Sequence, residues 1–130
     1  MPFVRIDTLA GQFDVHQRAI ISDVLYSAVL GIGALKGDRF QIFAEHELED
    51  FAFDPGYLGI RRTEGFIAIQ ITLVEGRTRA QKKDLFAVIA DSLHERVGIR
   101  REDVFVNLVE VAKENWSFGG GVAQYADAHA

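Results

Sequence analysis

The stretch FIAIQITLVEGRTRAQ, residues 66–81, joins an apolar run to a glycine turn and the start of a polar segment. Residues 66–74 are nearly all apolar or β-branched, which is typical of a central strand covered on both faces. Apolar residues then recur four apart from Leu85 to Val97, as on one face of a helix, and Gly98 follows in the place of a C-terminal cap. Residues 104–111 again have the composition of a strand. This part of the chain predicts a βαβ unit with parallel strands.

The same unit occurs earlier in the sequence, because a shift of 65 residues aligns the chain with itself without a gap. The first copy has an alternating strand around Val4 and Ile6, a helix pattern that ends before Gly33 and a third element at residues 40–44. Corresponding positions include Gly11 and Gly76, Val24 and Ile89, Gly33 and Gly98, Asp38 and Asp103, and Phe40 and Phe105. Two copies are too few for a solenoid, so the repeat predicts one compact α/β (α+β) domain.

The expected domain contains fused units at about residues 1–48 and 66–113, a linker at 49–65 and a docked tail at 114–130. The simplest packing is a four-stranded mixed sheet with both helices on one face. The other face also needs cover, because the strand at 66–74 is apolar on both sides. We therefore expect a homo-oligomer in which sheets pack against one another.

Composition excludes several classes of protein. The net charge of -5 argues against nucleic acid as the main partner, because phosphate binding needs a basic face. Cysteine is absent, which excludes disulfides and thiol chemistry. The histidines and the acidic cluster at residues 45–50 lack the spacing of metal ligands, so no metal is expected. Without a long apolar run or a signal-peptide layout, we expect a cytoplasmic protein that does not enter membranes.

Pro2 is the candidate catalytic residue. Methionine before proline is normally removed, and this would leave Pro2 with a free secondary amine. Burial in an apolar pocket beside a cation lowers the pKa of an amine, which makes it a useful base at neutral pH. By itself, however, a proline at this position is also common at the first residue of a strand. In the second copy Ile67 takes its place, inside the chain where no amine exists.

Three motifs resemble the tautomerase superfamily. The run LVEGRTRAQK, residues 73–82, resembles the strand-to-helix junction of 4-oxalocrotonate tautomerase, and the resemblance continues through Glu110, Lys113, Trp116 and Gly120. The whole chain, with Pro2, the stretch GDRFQ at 37–41 and the stretch WSFG at 116–119, is similar to the malonate semialdehyde decarboxylase group. The resemblance implies a homotrimer and an enzyme without cofactors that acts on small anionic 2-oxo acids.

The same resemblance implies roles for individual residues. Pro2 corresponds to the family's acid/base, and Arg77 to the arginine that binds the substrate carboxylate. Asp38 corresponds to an aspartate that positions water near the proline, although Asp103 occupies the same place in the other copy and suggests ordinary turn chemistry for both. Trp116 corresponds to an aromatic wall that Phe118 extends. Both are equally typical of core or interface anchors.

One departure leaves the reaction open. The decarboxylase group has a second arginine two positions before the one that matches Arg77, whereas this chain has Glu75. We expect keto-enol tautomerisation of a phenylpyruvate-like 2-oxo acid. The alternatives are decarboxylation or hydration of a three-carbon oxo acid, and a non-catalytic binding module with a vestigial proline site.

Overall fold

The computed structural model describes residues 2–127 of the 130-residue chain, so Met1 and the last residues of the expected tail lie outside the described part. Its regular elements are: β1 (Phe3–Leu9), α1 (Val15–Leu30), β2 (Phe40–His46), β3 (Ile67–Val74), α2 (Arg79–Val97) and β4 (Val104–Val111). The strand order is β2-β1-β3-β4. β1 and β2 are parallel, β3 and β4 are parallel, and β1 and β3 are antiparallel. The predicted mixed sheet of two βαβ units is confirmed.

Both helices begin with a capping box. Asp14 caps α1 and Thr78 caps α2, and in each case a glutamine three residues later returns the hydrogen bond to the backbone of the cap. Such capping boxes satisfy backbone donors that a helix start leaves unpaired. The start of α2 is therefore held in place directly after Arg77.

The helix ends differ from each other. α2 ends as predicted at Gly98, whose φ of 77° suits glycine. The prediction for Gly33 was wrong, because α1 already ends at Leu30 and the N–H of Gly31 bonds back to the carbonyl oxygen of Ser27. The chain then makes a turn in which Ala34 N–H reaches the carbonyl oxygen of Val29. Ile32 thus lies in a loop rather than on the helix.

The core lies between one face of the sheet and the two helices, which also pack against each other. Ile6, Ile69 and Ile71 from the central strands meet Leu25 of α1 and Ile89 of α2, all at most 1% exposed. Burial of such side chains contributes about 1.5–3 kcal/mol each. The core therefore fixes both helix starts and both strand ends relative to one another.

The opposite face of the sheet is open in the single chain. Phe40, Ile42 and Phe105 remain 48%, 45% and 49% exposed on its edge strands. The centre of this face is polar, with Gln70 Nε2 donating to Asn107 Oδ1 at 3.3 Å. A half-apolar face of this kind is typical of a surface that packs against another sheet.

The linker and tail carry short 3₁₀ turns, at Leu48–Asp50, Tyr57–Gly59 and Lys113–Asn115. In the tail, Phe118 contacts Tyr125 edge to face at 5.2 Å and also contacts Phe40 of β2 at 5.9 Å. In the described part of the chain, neither helix is apolar and long enough to cross a bilayer.

Candidate active site

One end of the sheet collects the residues singled out by sequence. β1 and β2 begin at this end, since Phe3 pairs with Phe40, and β3 and β4 finish there, since Val74 pairs with Val111. Pro2 directly precedes β1, and Asp38 lies two residues before β2. The antiparallel pairing of β1 with β3 is what brings the start of one repeat to the end of the other.

Pro2 lies in an apolar environment. It is buried and lines a narrow cavity that has no room for a water molecule, with these neighbours: Val29, Ile32, Ala34, Ile71, Leu73 and Arg77. Arg77 supplies the only charged group among them. An apolar cavity with one adjacent cation disfavours a second positive charge, which is the condition for a weakly basic amine.

Arg77 is held by two backbone carbonyl groups. Its Nη1 donates to the carbonyl oxygen of Val74 at 2.8 Å, and its Nε donates to that of Ile32 at 3.2 Å. The early end of α1 is what presents the Ile32 carbonyl group. Within residues 2–127 Arg77 forms no ion pair, but its charge helps to lower the pKa of the nearby Glu110.

Arg77 also lines a second, wider cleft of about 540 Å³. Its other polar lining residues are Glu75, Gln81, Lys113 and Tyr125. Arg77 borders both spaces, so a molecule in the cleft can place an anionic group on the guanidinium, whereas Pro2 does not line the cleft. Glu75 borders this cleft too, so its carboxylate opposes a doubly anionic ligand.

The two aspartates matched by the repeat have different surroundings. Asp103 is buried and accepts hydrogen bonds from Thr63 N–H at 2.7 Å and Thr63 Oγ1 at 2.6 Å, with Arg100 Nη1 at 3.5 Å. It fixes the linker ahead of β3. Both carboxylate oxygens of Asp38 are shielded from solvent at the start of β2, on the Pro2 side of the sheet. Asp38 and Asp103 align in the repeat but have different structural environments.

Aromatic side chains from the tail form a wall at this end. Trp116 and Phe118 stack with ring centroids 5.6 Å apart and 9° between planes, and Phe118 also contacts Phe40 at 5.9 Å. The Nε1–H group of Trp116 is buried, and no acceptor for it exists among residues 2–127. A buried donor without a partner costs stability.

Sequence reasoning missed three residues of this site. Tyr125 packs on Phe118 and lines the cleft, while Ile32 and Ala34 line the Pro2 cavity. Only Tyr125 carried a signal, as an aromatic residue in the tail after a glycine-rich turn. The other two depend on where α1 ends.

A charged pair supports the rim of the cleft. Lys82 Nζ lies 2.6 Å from Glu110 Oε1, joining α2 to β4. The hydrogen bond from Lys82 is the main reason that the pKa of Glu110 is lowered, and a backbone hydrogen bond from Gly76 adds to it. This pair steadies the segment that carries Arg77.

The sequence matches the family described as tautomerase enzyme over residues 38–119. The chain belongs to the tautomerase family. It is similar to the probable tautomerase YusQ of Bacillus subtilis strain 168, with 39% identity over 95% of this chain and 98% of the relative. The 2-hydroxymuconate tautomerase of Pseudomonas putida is 43% identical over 51 residues, which cover 39% of this chain and 81% of that protein.

Two solved structures resemble this tautomerase family member. The FG41 malonate semialdehyde decarboxylase inhibited by 3-bromopropiolate superposes with a TM-score of 0.86 at 34% identity, over 95% of this chain and 93% of that one. A fused 4-OT described as a symmetric trimer has a TM-score of 0.78 at 20% identity, over 98% and 99% of the two chains, and shares the fold. The resemblance to both groups is confirmed.

Proposed function

We propose that this chain catalyses the keto-enol tautomerisation of small 2-oxo acids without a cofactor, with the Pro2 amine as acid and base. The observation that supports it is that Pro2 and Arg77 line one apolar cavity, and Arg77 also borders an open cleft beside an aromatic wall. An acid/base group and an anion clamp are the two components that enolisation of a 2-oxo acid requires.

Pro2 would move the proton at C3 of the substrate. In the keto-to-enol direction the neutral amine takes a proton from C3, the C–H electron pair forms the C2–C3 double bond, and the C2 oxygen receives a proton from water. The protonated amine then returns its proton to solvent. In the reverse direction the protonated amine delivers its proton to C3 and the enol O–H loses one. The apolar walls keep the amine neutral near physiological pH.

Arg77 would hold the substrate carboxylate and stabilise the negative charge that develops on the C2 oxygen. Its two bonds to backbone carbonyl oxygens fix the guanidinium before substrate arrives. Such preorganised donors stabilise a transition state without reorganising during the reaction. Asp38 would position water at the same end of the sheet, and Trp116 with Phe118 would contact the apolar part of the substrate.

Paired variants test these roles with phenylpyruvate enol as substrate. Pro2→Ala keeps a free amine but makes it primary and mobile, and Arg77→Ala removes the clamp. We expect each to lower kcat/KM by about 100-fold or more. Arg79→Ala, on an exposed arginine at the first position of α2, is the matched control and should retain activity. Unchanged turnover in both site variants would overturn the assignment.

The free amine exists only when Met1 has been removed. Intact mass of the purified protein measures this directly. Full retention of Met1 in an active preparation would exclude the Pro2 amine as catalyst, and inactivity of a preparation that has lost Met1 would favour the binding module with a vestigial proline site.

Decarboxylation or hydration of a three-carbon oxo acid is the second candidate, favoured by the similarity to the FG41 malonate semialdehyde decarboxylase. Glu75 on the cleft argues against it, because a carboxylate replaces the second cation there. Incubation with malonate semialdehyde separates the reactions: acetaldehyde and carbon dioxide form only by decarboxylation.

We also propose that the protein is a cytoplasmic homotrimer. The exposed Phe40 and Ile42 on the open sheet face support burial between copies, as does the fold shared with a trimeric fused 4-OT. Sedimentation at several concentrations measures the assembly.

A further inference from the structure

A second aromatic pocket lies at the opposite end of the sheet from Pro2. Its volume is about 380 Å³, within the range of small-molecule sites. Its aromatic walls are Phe51, Phe53, Tyr57, Phe66 and Phe105. Phe53 and Phe66 stack at 4.4 Å with 12° between ring planes, and Phe105 contacts Phe66 at 5.8 Å. These contacts make a preformed cage rather than a flat patch.

The 65-residue repeat relates this cage to the wall of the proposed active site. Shifted by 65 positions, Phe51 corresponds to Trp116, Phe53 to Phe118 and Phe105 to Phe40. The centroid distances are similar, at 5.9 Å between Phe51 and Phe53 and 5.6 Å between Trp116 and Phe118, but the ring planes meet at 70° in the first pair and at 9° in the second. The aromatic wall therefore occurs twice in the molecule, at two ends of the sheet.

The chemical groups of the first site do not occur twice. Ile67 corresponds to Pro2, and Gln12 corresponds to Arg77. Ile67 is fully buried in the middle of the chain and carries no amine. The second pocket thus retains an aromatic wall without the acid/base group, which suits binding without catalysis.

The second pocket has a cation of its own. Arg62 lines it, and its Nη1 donates to the carbonyl oxygens of Asp54, Tyr57 and Ile60 at 3.2, 3.0 and 3.2 Å. These bonds hold the guanidinium at the pocket, and Arg62 forms no ion pair in the part of the chain that the structure describes. The carboxylate of Asp54 also borders the pocket but accepts from Gly56 N–H at 2.8 Å.

We propose that this pocket is a second, non-catalytic binding site for a small aromatic carboxylate. The ring would pack against the aromatic walls of the pocket, and the carboxylate would pair with the guanidinium of Arg62. A fixed guanidinium beside an aromatic cage matches a ligand that is apolar at one end and anionic at the other. Binding there does not require Pro2 or the proposed reaction.

The probe is 4-fluorophenylacetate, an aromatic acid that cannot enolise as a 2-oxo acid does. Backbone amide NMR follows residues 51–68 and 105, while fluorescence of Trp116, the one tryptophan, reports only on the Pro2 end. The titration uses the full chain carrying Arg77→Ala, so that the clamp of the first site is removed. We expect saturable shifts of the amides in residues 51–68 with little change in Trp116 fluorescence.

Two comparisons identify the carboxylate contact. Arg62→Gln should weaken binding at least about tenfold, whereas Arg61→Gln, on an exposed neighbour that does not line the pocket, should change it less than about twofold. Because Arg62 also braces the loop, the neutral 4-fluorophenylacetamide is titrated into the chain with Arg62 intact and should bind at least about tenfold more weakly than the acid. Equal binding of acid and amide would overturn the proposal.

Two further outcomes would also overturn it. One is the absence of saturable shifts in residues 51–68. The other is a set of shifts in these amides that depends on protein concentration and not on the probe, which would assign the pocket to a second copy of the chain.

Discussion

Pro2 and Arg77 line the same narrow cavity although they belong to different copies of the repeat. The antiparallel pairing of β1 with β3 produces this meeting, because it sets the start of the first unit beside the end of the third strand. A duplicated chain with parallel copies would have separated the two groups by the length of a strand. The site therefore depends on the relative direction of the two units.

Arg77→Lys tests whether the fork geometry of the clamp matters. Lysine keeps the positive charge but has a single ammonium group. It cannot donate to the Val74 and Ile32 carbonyl oxygens and at the same time to a substrate carboxylate, as a guanidinium can. We expect KM for phenylpyruvate enol to rise about tenfold, measured by steady-state kinetics. Arg79→Lys is the control, and an equal effect of both changes would contradict a specific clamp.

Substitution of Asp103 should lower stability, whereas substitution of Asp38 should lower the rate of catalysis. Asp103→Asn replaces a buried carboxylate that holds Thr63, and we expect the free energy of unfolding in urea to fall by about 2–4 kcal/mol. Asp91→Asn, at an exposed aspartate of α2, should change it by less than about 0.5 kcal/mol.

Asp38→Asn should lower kcat at least about tenfold. A kcat that is the same for Asp38→Asn and the unmodified protein would assign Asp38 to turn chemistry alone.

Trp116→Phe isolates the indole N–H from the aromatic wall. Because the buried Nε1–H has no acceptor among residues 2–127, its removal should leave the free energy of unfolding within about 1 kcal/mol, with part of the ring area lost. If a ligand accepts from this group, KM rises several-fold. Thermal unfolding and kinetics on the same sample distinguish the two effects, and a large loss of stability would mean that the indole is a core anchor.

Glu110 should make stability depend on pH in a defined direction. Its pKa is lowered in the folded protein by the hydrogen bond from Lys82, so the stabilisation is fully present above the ordinary value of 4.5. It is lost as the pH falls through the lowered folded pKa. Urea unfolding of the unmodified protein and Glu110→Gln should differ most above pH 4.5 and converge below it. Glu95→Gln, at an exposed glutamate of α2, should show no such convergence.

Ile42→Asp tests the proposed assembly. Ile42 is 45% exposed on the open sheet face and lies away from Pro2 and Arg77. A charge buried between sheets costs several kcal/mol, so sedimentation should show smaller species at micromolar concentration. Val15→Asp, at an exposed residue of α1, is the control. An unchanged assembly in Ile42→Asp would exclude this face as the interface.

Much of the fold followed from local pattern. The strand at 66–74, the apolar residues from Leu85 to Val97 and the cap at Gly98 each have a local physical cause in side-chain periodicity or backbone freedom. The end of α1 did not follow from local pattern, because Gly31 and Gly33 are both plausible caps. The hydrogen bonds to the carbonyl oxygen of Val29 determine which of the two ends the helix. Because α1 ends at Leu30, Ile32 lies in the loop that follows, and its carbonyl group orients Arg77.

The amino-acid sequence by itself determined the duplication, the presence of a proline at position 2 and the presence of an arginine at a helix start, since these are properties of residue order. Tertiary structure alone decided that Pro2 and Arg77 share a cavity, that Asp103 is braced by Thr63, and that an aromatic cage with Arg62 occurs at the far end. These relations join residues distant in the chain. They depend on strand direction and on packing of the core, which no local pattern encodes.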